Sequence, residues 1–349
     1  MLANGQKLRI AIDSMGGDYA PEEIVKGAVK AAKAGKTEIV LVGPSAILEK
    51  ELSKYDTSHL PITKIEAGEV IKEGEAPAYA IYHKPDSTIN VAMGLVKSGD
   101  VDAILSAGAT GAVAVSAMKI LGLMPGINRP VICAPFVGLA PNTVLVDGGA
   151  NVDCKPHHLL SFAVIGSVYA KKLFNVSDPK VALLSVGVEE GKGTALIKET
   201  YTLLQKSGLN FIGNIEGYDI LAKKANVIVC DGAIGNVLMK FYERMGHYFA
   251  RWLRTQVDVI PLAGSVMKIL DQVRLFNRIT KNERDGGALL WGVKGMVQLL
   301  HGNSQAKQIT QAIKRTAELV NLDLVNFLEN ELAVMNSDRI PDYSMTISR

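Results

Sequence analysis

Five short apolar segments of this chain run directly into loops that combine Gly with Ser, Asp or Asn. In chain order these stretches read IDSMGGD, ILSAGATGA, LVDGGANVD, LLSVGVEEGKG and IVCDGAIGN. A short apolar run that stops at turn-forming residues is typical of a buried β-strand. Segments with helical spacing follow several of these loops, so strands and helices alternate. The alternation predicts an α/β fold, a three-layer α/β/α arrangement in which a mostly parallel sheet carries helices on its faces.

The same patterns place the individual elements. Strands are predicted at 8–13, 38–43, 62–67, 102–108, 180–187, 210–217 and 226–232, and in VICAPF and NTVLVDGGA. Helices are predicted at 20–35, 46–54, 87–96 and 195–206. The longest uncharged run, residues 103–118, is broken by Gly and shorter than the ~20 apolar residues of a membrane span, so we interpret it as a strand, a loop and a helix.

Charge and cysteine content exclude several classes of protein. The 349 residues carry a net charge of only +3, which gives no bulk attraction to nucleic acid. Cys133, Cys154 and Cys230 are too few, and odd in number, for a disulfide framework. The N-terminus lacks the apolar stretch of a signal peptide. We therefore expect a cytoplasmic protein.

The glycine-rich strand ends predict a site for an anion. Ligands of open α/β sheets bind at the carboxyl ends of the strands, where Gly lets backbone N–H groups approach an oxyanion and helix N-termini favour negative charge. Lys155 and Lys192 lie in these loops and offer cations. Neutral hydrogen-bond donors are supplied by Ser106, Thr110, Asn151, Asn214 and Asn236. The alternative for each single loop is an ordinary α/β turn, and for Lys192 an ordinary exposed lysine. The full set favours a shared phosphate-like ligand.

Other chemistries lack their sequence signatures. The loops do not match the dinucleotide fingerprint G-x-G-x-x-G, the P-loop or the hydrolase motif G-x-S-x-G. Cys154, His157 and His158 are too few for a zinc site, and the two histidines are typical of a helix start. Four aspartates are possible Mg²⁺ ligands, but such residues more often cap helices and form turns; they are Asp13, Asp18, Asp147 and Asp231. We expect neither a metal nor a cofactor.

Residues 240–284 form a basic arm. They hold nine Lys and Arg residues against four Asp and Glu residues, a larger surplus than that of the whole chain. Two helical patterns flank VDVIPLAG, where Pro261 and Gly264 interrupt the helix. This predicts a helical hairpin with basic sides and an apolar tip that includes Val257, Val259, Ile260 and Leu262. The arm is either a solvated helix pair packed on a partner subunit or a docking surface for an acidic protein or an anionic membrane.

Several motifs together resemble one family. IDSMGGDYAPEEIVKGA, SAGATGA, GGANVDCKP, EEGKG, GNIEGYDI, VIVCDGAIGNVLMK, GGALLWGVKG and HGNS follow one another from about residue 8 to about residue 320. In this order they closely resemble the bacterial phosphate acyltransferase family. Three motifs depart from the family pattern, which usually has Asn at Ala109, Val at Gly148 and Phe-Thr at Ala233-Ile234. The changes at Ala109 and Ala233-Ile234 remove polar side chains but leave the backbone N–H donors.

The resemblance implies transfer of a long acyl group from acyl carrier protein to inorganic phosphate, without metal or nucleotide. It also implies a homodimer, peripheral membrane association, and delivery of acyl phosphate to a membrane glycerol-3-phosphate acyltransferase. The fold would resemble isocitrate and isopropylmalate dehydrogenases and phosphotransacetylase, with a cleft between two lobes. These lobes would be residues 1–147 plus 287–349, and residues 148–286 including the hairpin.

The resemblance and the loop chemistry together give a list of expected site residues. The expected catalytic residues are Lys192, Asn214 and Asn236. The expected phosphate- and substrate-binding residues are Gly16, Gly17, Asp18, Ser106, Gly108, Thr110, Gly111, Asn151, Lys155, Gly193, Glu216 and Asp231. The expected contacts with carrier protein or membrane are Arg251, Arg254, Val259, Ile260, Leu262, Lys268, Arg274 and Arg278.

Two alternative functions stay open on the sequence. A short-chain phosphotransacylase that uses coenzyme A would have the same fold, but it would not need the basic, apolar-tipped arm. A non-catalytic, membrane-peripheral scaffold for carrier protein would tolerate the departures at Ala109 and Ala233-Ile234, but it would not need the full set of glycine loops.

Overall fold

The computed structural model describes residues 7–136, 140–257 and 286–338. The chain divides into two compact units. Unit 1 comprises Met1–Pro130 and Asp285–Arg349, and unit 2 comprises Val131–Arg284. Each unit is built around parallel strands with helices on both sides.

Unit 1 contains six strands of the described chain. They are β1 (Leu8–Asp13), β2 (Thr37–Val42), β3 (Ile62–Ile65), β4 (Ala103–Ser106), β10 (Ala288–Trp291) and β11 (Met296–Leu299). Their spatial order is β3-β2-β1-β4-β11-β10. All neighbours are parallel except β10 and β11, which pair as an antiparallel hairpin. β1 and β4 are almost entirely buried, as expected for central strands covered on two faces.

The helices of unit 1 lie between and after these strands. They are α1 (Glu22–Ala32), α2 (Ser45–Leu52), α3 (Pro77–His83), α4 (Thr88–Ser98), α5 (Thr110–Ile120), α9 (Ala306–Asn321) and α10 (Leu324–Asp338). α1 and α9 pack closely, since an ideal Cβ placed on Gly27 would lie 2.5 Å from Ile309 Cβ. A larger residue at Gly27 would therefore separate the two helices.

Unit 2 contains the remaining described strands. They are β5 (Val131–Pro135), β6 (Val144–Val146), β7 (Val181–Leu184), β8 (Phe211–Ile215) and β9 (Val227–Val229), in the spatial order β5-β6-β9-β7-β8. β5 and β6 are antiparallel and the other pairs are parallel. The helices among the described residues of this unit are α6 (Pro156–Phe174), α7 (Ala195–Gln205) and α8 (Gly232–Val257), with a short 3₁₀ helix at Gly217–Ile220.

The mostly parallel α/β architecture confirms the sequence prediction, and each of the individually placed strands and helices is present. The first helix of the predicted basic hairpin corresponds to part of α8, and the rest of the hairpin lies outside the described residues. The patterns missed α3, the buried helix α6 beyond its start, the β10–β11 hairpin, α9 and α10. Residues 158–170 of α6 are buried without interruption, so that helix lacks the polar face on which helical periodicity depends. Unit 2 begins ahead of the predicted boundary at 147 because β5 pairs with β6. Among the described helices, none combines the length and apolar character needed to cross a bilayer.

Candidate functional site

The first cluster of predicted site residues lies at one edge of the unit 1 sheet. β1, β4 and β11 are parallel neighbours, so their carboxyl ends share that edge. The following loops meet there, because Asp18 donates its backbone N–H to the Gly302 carbonyl at 2.8 Å and Leu300 donates to the Ser106 carbonyl at 2.8 Å. The HGNS segment, which contributes to the family resemblance but holds none of the predicted binding residues, is thus part of this edge.

Asp13 lies at the centre of the unit 1 edge. Its carboxylate is buried and accepts hydrogen bonds from the Ser106 hydroxyl at 2.7 Å and the Met15 N–H at 3.3 Å. The Thr88 hydroxyl and the Gly16 N–H also donate to it. Burial raises the pKa of Asp13 above its ordinary value of 3.8, and these donors oppose the shift in part. Asp13 therefore holds the loop after β1 against the end of β4.

Glycine is required where the unit 1 loops approach one another. An ideal Cβ on Gly16 would lie 2.4 Å from Asp13 Oδ2 and 2.7 Å from Gly108 N. Gly17 has a φ of +103°, which L side chains rarely adopt. The edge brings together the predicted residues Gly16, Gly17, Asp18, Ser106, Gly108, Thr110 and Gly111, the last two opening α5. Ala109 directly precedes α5 and supplies no side-chain cap.

Asp147 is the buried carboxylate of the unit 2 edge, as Asp13 is of the unit 1 edge. It follows β6 and is fully buried. Its Oδ1 accepts from the backbone N–H groups of Ile132, Gly149 and Ala150, each at 3.1 Å. Its Oδ2 accepts from the Asn151 backbone N–H at 2.7 Å and from Asn151 Nδ2 at 2.9 Å. Burial raises the pKa of Asp147, although these hydrogen bonds favour the ionised form. The carboxylate therefore fixes the conformation of the GGAN loop through hydrogen bonds to its backbone N–H groups.

The start of α8 packs onto this Asp147 loop. Gly232 donates its N–H to the Asn151 carbonyl at 2.7 Å, and Asp231 Oδ1 caps the helix by accepting from Ile234 N at 2.9 Å. An ideal Cβ on Gly149 would lie 3.1 Å from Asn236 Cβ. The structure therefore brings Asn151, Asp231 and Asn236 together. The departure at Ala233-Ile234 leaves the cap intact.

A third cluster surrounds the loop Val186–Gly193, at the carboxyl ends of β7 and β8. Asn214 is buried and donates from Nδ2 to the Glu189 carbonyl at 3.0 Å, and Lys192 N donates to the same carbonyl at 3.0 Å. Gly193, with a φ of +96°, approaches Ser185, whose Oγ would be 3.0 Å from an ideal Cβ there. Lys192 is exposed. In the described chain, no ion pair joins Glu189 or Glu190 to a lysine.

Two further predicted residues lie nearby in unit 2. Lys155 is exposed and directly precedes α6, where its N–H donates to His158 Nδ1 at 3.0 Å. This confirms the helix-start role of the histidines. Glu216 follows β8 and accepts from the Tyr218 hydroxyl at 2.8 Å. Within the described ranges, no group of three or more His, Cys, Asp or Glu side chains is arranged to hold a metal ion.

The unit 2 edge is the better place for an anion. β6, β7, β8 and β9 end on one side because they are parallel, and α6, α7 and α8 are the next helices along the chain after β6, β7 and β9. Helix N-termini carry partial positive charge, and Lys155 and Lys192 add two cations. Exposed carboxylates lie at both edges, Asp18 beside Gly302 in unit 1 and Glu189 and Glu190 in unit 2, so the two predicted lysines are what favours the unit 2 edge.

The predicted contact residues of the basic arm are only partly described. Arg251 is exposed on α8, and Arg254 belongs to the same helix. Val259, Ile260, Leu262, Lys268, Arg274 and Arg278 lie outside the described residues. α8 also carries a stripe of exposed apolar side chains, not singled out from the sequence, at spacings of three and four: Ile234, Val237, Phe241, Met245, Tyr248 and Trp252.

Sequence comparison gives consistent matches along nearly the whole chain. A family model described as "Fatty acid synthesis protein" matches residues 8–326. A protein of Dictyoglomus turgidum named phosphate acyltransferase is 44% identical over 322 residues, which is 91% of this chain and 95% of that protein. The phosphate acyltransferase of Thermoanaerobacterium thermosaccharolyticum is 38% identical over 333 residues, covering 95% and 98% of the two chains.

Solved structures support the fold. A phosphotransacetylase from Streptococcus pyogenes superposes with a TM-score of 0.59 at 22% identity, covering 90% of this chain and 94% of that one. The EutD phosphotransacetylase from Staphylococcus aureus gives a TM-score of 0.54 at 16% identity, covering 90% and 95%. The expected likeness to phosphotransacetylase is thereby confirmed at the level of the fold.

Proposed function

The chain belongs to the fatty acid synthesis protein family, and we propose that it transfers a long-chain acyl group from acyl carrier protein to inorganic phosphate. That it is an acyltransferase follows from its match to phosphate acyltransferases over nearly its full length. That match is the observation that carries the proposal. The identity of the acyl donor as acyl carrier protein, the roles of individual residues and the membrane association belong to the proposal.

The chemistry of the unit 2 edge supports phosphate as the acceptor. Inorganic phosphate is anionic at neutral pH, so it needs positioning more than deprotonation. Three helix N-termini and two exposed lysines, Lys155 and Lys192, would attract and orient it. We assign phosphate binding to this edge through Asn151, Lys155, Lys192, Gly193 and Asn236, with Asp231 holding the start of α8 in place. Glu216 and the unit 1 loop residues stay proposed substrate contacts.

The reaction balances without a cofactor. A phosphate oxygen forms a bond to the thioester carbonyl carbon, and the resulting tetrahedral intermediate places its negative charge on the former carbonyl oxygen. Lys192 and nearby N–H groups would stabilise that oxyanion. The intermediate collapses by breaking the carbon–sulfur bond, which releases acyl phosphate and a thiolate that takes a proton from solvent. A thiol with an ordinary pKa of about 8.5 is a good leaving group, so no strong general acid is required.

The surface of α8 and the sequence of the basic arm support a peripheral membrane location on the cytoplasmic side. Exposed apolar residues beside basic ones suit either an anionic lipid surface or a partner protein. We propose that the arm binds acidic carrier protein and lipid, that the protein is a homodimer, and that acyl phosphate passes to a membrane glycerol-3-phosphate acyltransferase. Sedimentation with anionic liposomes tests the lipid contact. Equal binding by wild type and by an Ile260→Glu, Leu262→Glu double variant would exclude the apolar tip as the lipid contact.

The activity is tested by thioester loss from palmitoyl-acyl carrier protein in the presence and absence of phosphate, with acyl phosphate trapped by hydroxylamine. Acetyl-coenzyme A is run in parallel. Turnover of the carrier substrate alone is the expected result. Turnover of acetyl-coenzyme A alone would assign a short-chain phosphotransacylase. Binding of carrier protein without turnover of either donor would identify a scaffold.

A further inference from the structure

Two polar atoms at the ends of β7 and β8 are buried without a hydrogen-bond partner among the described residues. They are Asn214 Oδ1 and Ser185 Oγ. Asn214 is 6% exposed. A buried polar atom that makes no hydrogen bond costs free energy, so such atoms are rare unless a ligand or water completes them.

The two side chains face the same side of the sheet. Asn214 on β8 is opposite Leu183 on β7, and Ser185 N donates to the Ile215 carbonyl at 2.9 Å, which continues the pairing by one residue. Side chains alternate along a strand, so Ser185 projects to the same face as Leu183 and therefore as Asn214. Both lie beneath the loop Val186–Gly193, since Asn214 bonds the Glu189 carbonyl and Ser185 approaches Gly193.

The orientation of the Asn214 amide is fixed by its partner. Nδ2 donates to a backbone carbonyl, which accepts only, so Oδ1 is presented as an acceptor. The Ser185 hydroxyl can donate. An acceptor and a donor on one face match the N–H and the C=O of a secondary amide, whereas unprotonated phosphate oxygens would be repelled by Oδ1.

Given the proposed function, on which this inference rests, we propose that Asn214 and Ser185 bind the secondary amide nearest the sulfur of the acyl donor's pantetheine arm. Asn214 Oδ1 accepts from the amide N–H, and Ser185 Oγ donates to the amide C=O. The arm reaches these two atoms when the loop Val186–Gly193 adjusts, which Gly187, Gly191 and Gly193 allow. Val186 and Val188 of the same loop carry solvent-exposed apolar surface. Two methylene groups separate this amide from the sulfur, so the thioester is placed beside Lys192.

A pair of non-reactive ligands tests this assignment independently of turnover. One is the decyl thioether of N-acetylcysteamine, and the other is its isostere in which the amide N–H is replaced by an ester oxygen. Binding of both to the full-length protein is measured by isothermal titration calorimetry. We expect wild type to bind the amide about tenfold more tightly than the ester. An equal affinity for the two ligands would overturn the proposal.

Two variants separate the two contacts. Asn214→Ala is expected to bind both ligands equally, because the acceptor is gone. Ser185→Ala is expected to keep the preference for the amide while binding both ligands about fivefold more weakly, because both retain the C=O. Thr202→Ala is the matched control, since its hydroxyl lies on exposed α7 and bonds only the Lys198 carbonyl. A preference that survives in Asn214→Ala, or a Ser185→Ala variant that binds like wild type, would overturn the assignment.

The decanoyl thioesters of the same two thiols, assayed with phosphate, report separately on the proposed function. No phosphate-dependent turnover, together with the expected binding preferences, would reject the acyl transfer reaction and leave the amide subsite standing. Phosphate-dependent turnover without any preference for the amide would support the acyl transfer reaction and reject the amide subsite.

Discussion

The Ser106 hydroxyl donates a 2.7 Å hydrogen bond to the buried carboxylate of Asp13, and so joins the ends of two neighbouring parallel strands. The hydroxyl also accepts from Gly108 N at 3.0 Å, which connects Asp13 to the second glycine loop. One serine thus ties together both loops of the unit 1 edge.

Ser106→Ala should destabilise the protein by about 2 kcal/mol, because it leaves a buried acceptor on Asp13 and a loop N–H without their partner. The measurement is urea unfolding followed by circular dichroism. Ser53→Ala is the control, since Ser53 Oγ bonds the Lys50 carbonyl at an exposed helix end and its loss should cost less than about 0.5 kcal/mol. Equal stabilities of the two variants would show that the Asp13 contact contributes little.

The raised pKa of Asp13 gives a pH dependence with a definite sign. The folded protein holds the Asp13 proton more tightly than the unfolded chain does, so Asp13 lowers stability at neutral pH and this penalty shrinks as the pH falls through the folded pKa toward 3.8. Asp13→Asn cannot titrate. The free energy of unfolding of wild type, minus that of Asp13→Asn, should therefore increase as the pH falls from 7 to 4.

The test compares the unfolding free energies of wild type and Asp13→Asn, because other carboxyl groups change stability with pH in the opposite direction. Glu75, for example, has a lowered pKa owing to its hydrogen bond with Lys84, so it loses stabilisation in acid. Comparing wild type with Asp13→Asn at each pH cancels that contribution. A difference that stays constant, or decreases toward acid, would contradict the raised pKa.

The sequence predicts the strands and the loops that end them because both signals are local. A buried run such as LRIAID and a following MGG turn are recognisable within a few residues. The pairing of Asp13 with Ser106 is not local, since it depends on β1 and β4 being neighbours, and strand order has no signature in a single sequence. For that reason the sequence suggests a role for Ser106 but does not identify its partner.

The contacts around Ser185 and Asn214 show the same limit. The sequence predicts Asn214 as a hydrogen-bond donor to the ligand, whereas in the structure its N–H is donated to the Glu189 carbonyl and its oxygen is left buried. The sequence does not distinguish Ser185, because a serine after a strand is common in loops. Only the bonded register of β7 and β8 places the two side chains on one face.

Gly235 should tolerate no side chain. An ideal Cβ there would lie 1.8 Å from the Asp147 carbonyl oxygen, a backbone atom that cannot move without disturbing the GGAN loop. We expect Gly235→Ala to destabilise the protein by about 3 kcal/mol or more. Gly94→Ala is the matched control, since Gly94 lies inside α4 and no atom beyond its own stretch of helix is within 4 Å of an added Cβ. The change should stabilise the helix by about 0.5–1 kcal/mol. Thermal unfolding should show a lower stability for Gly235→Ala and a higher stability for Gly94→Ala than for wild type. A Gly235→Ala variant as stable as wild type would exclude the close packing of α8 on Asp147.

Lys192 should matter for phosphate more than for overall structure. Its side chain is exposed at the unit 2 edge and forms no ion pair with any residue that the structure describes, so its removal should leave stability within about 0.5 kcal/mol of wild type. We expect Lys192→Ala to lower kcat/KM for phosphate by about 10- to 100-fold, because a cation beside the oxyanion stabilises the transition state. Lys206→Ala, at the exposed far end of α7, is the control and should retain full activity. If Lys192→Ala turns over palmitoyl-acyl carrier protein like wild type at subsaturating phosphate, Lys192 has no catalytic role and the anion is held by backbone N–H groups or by Lys155.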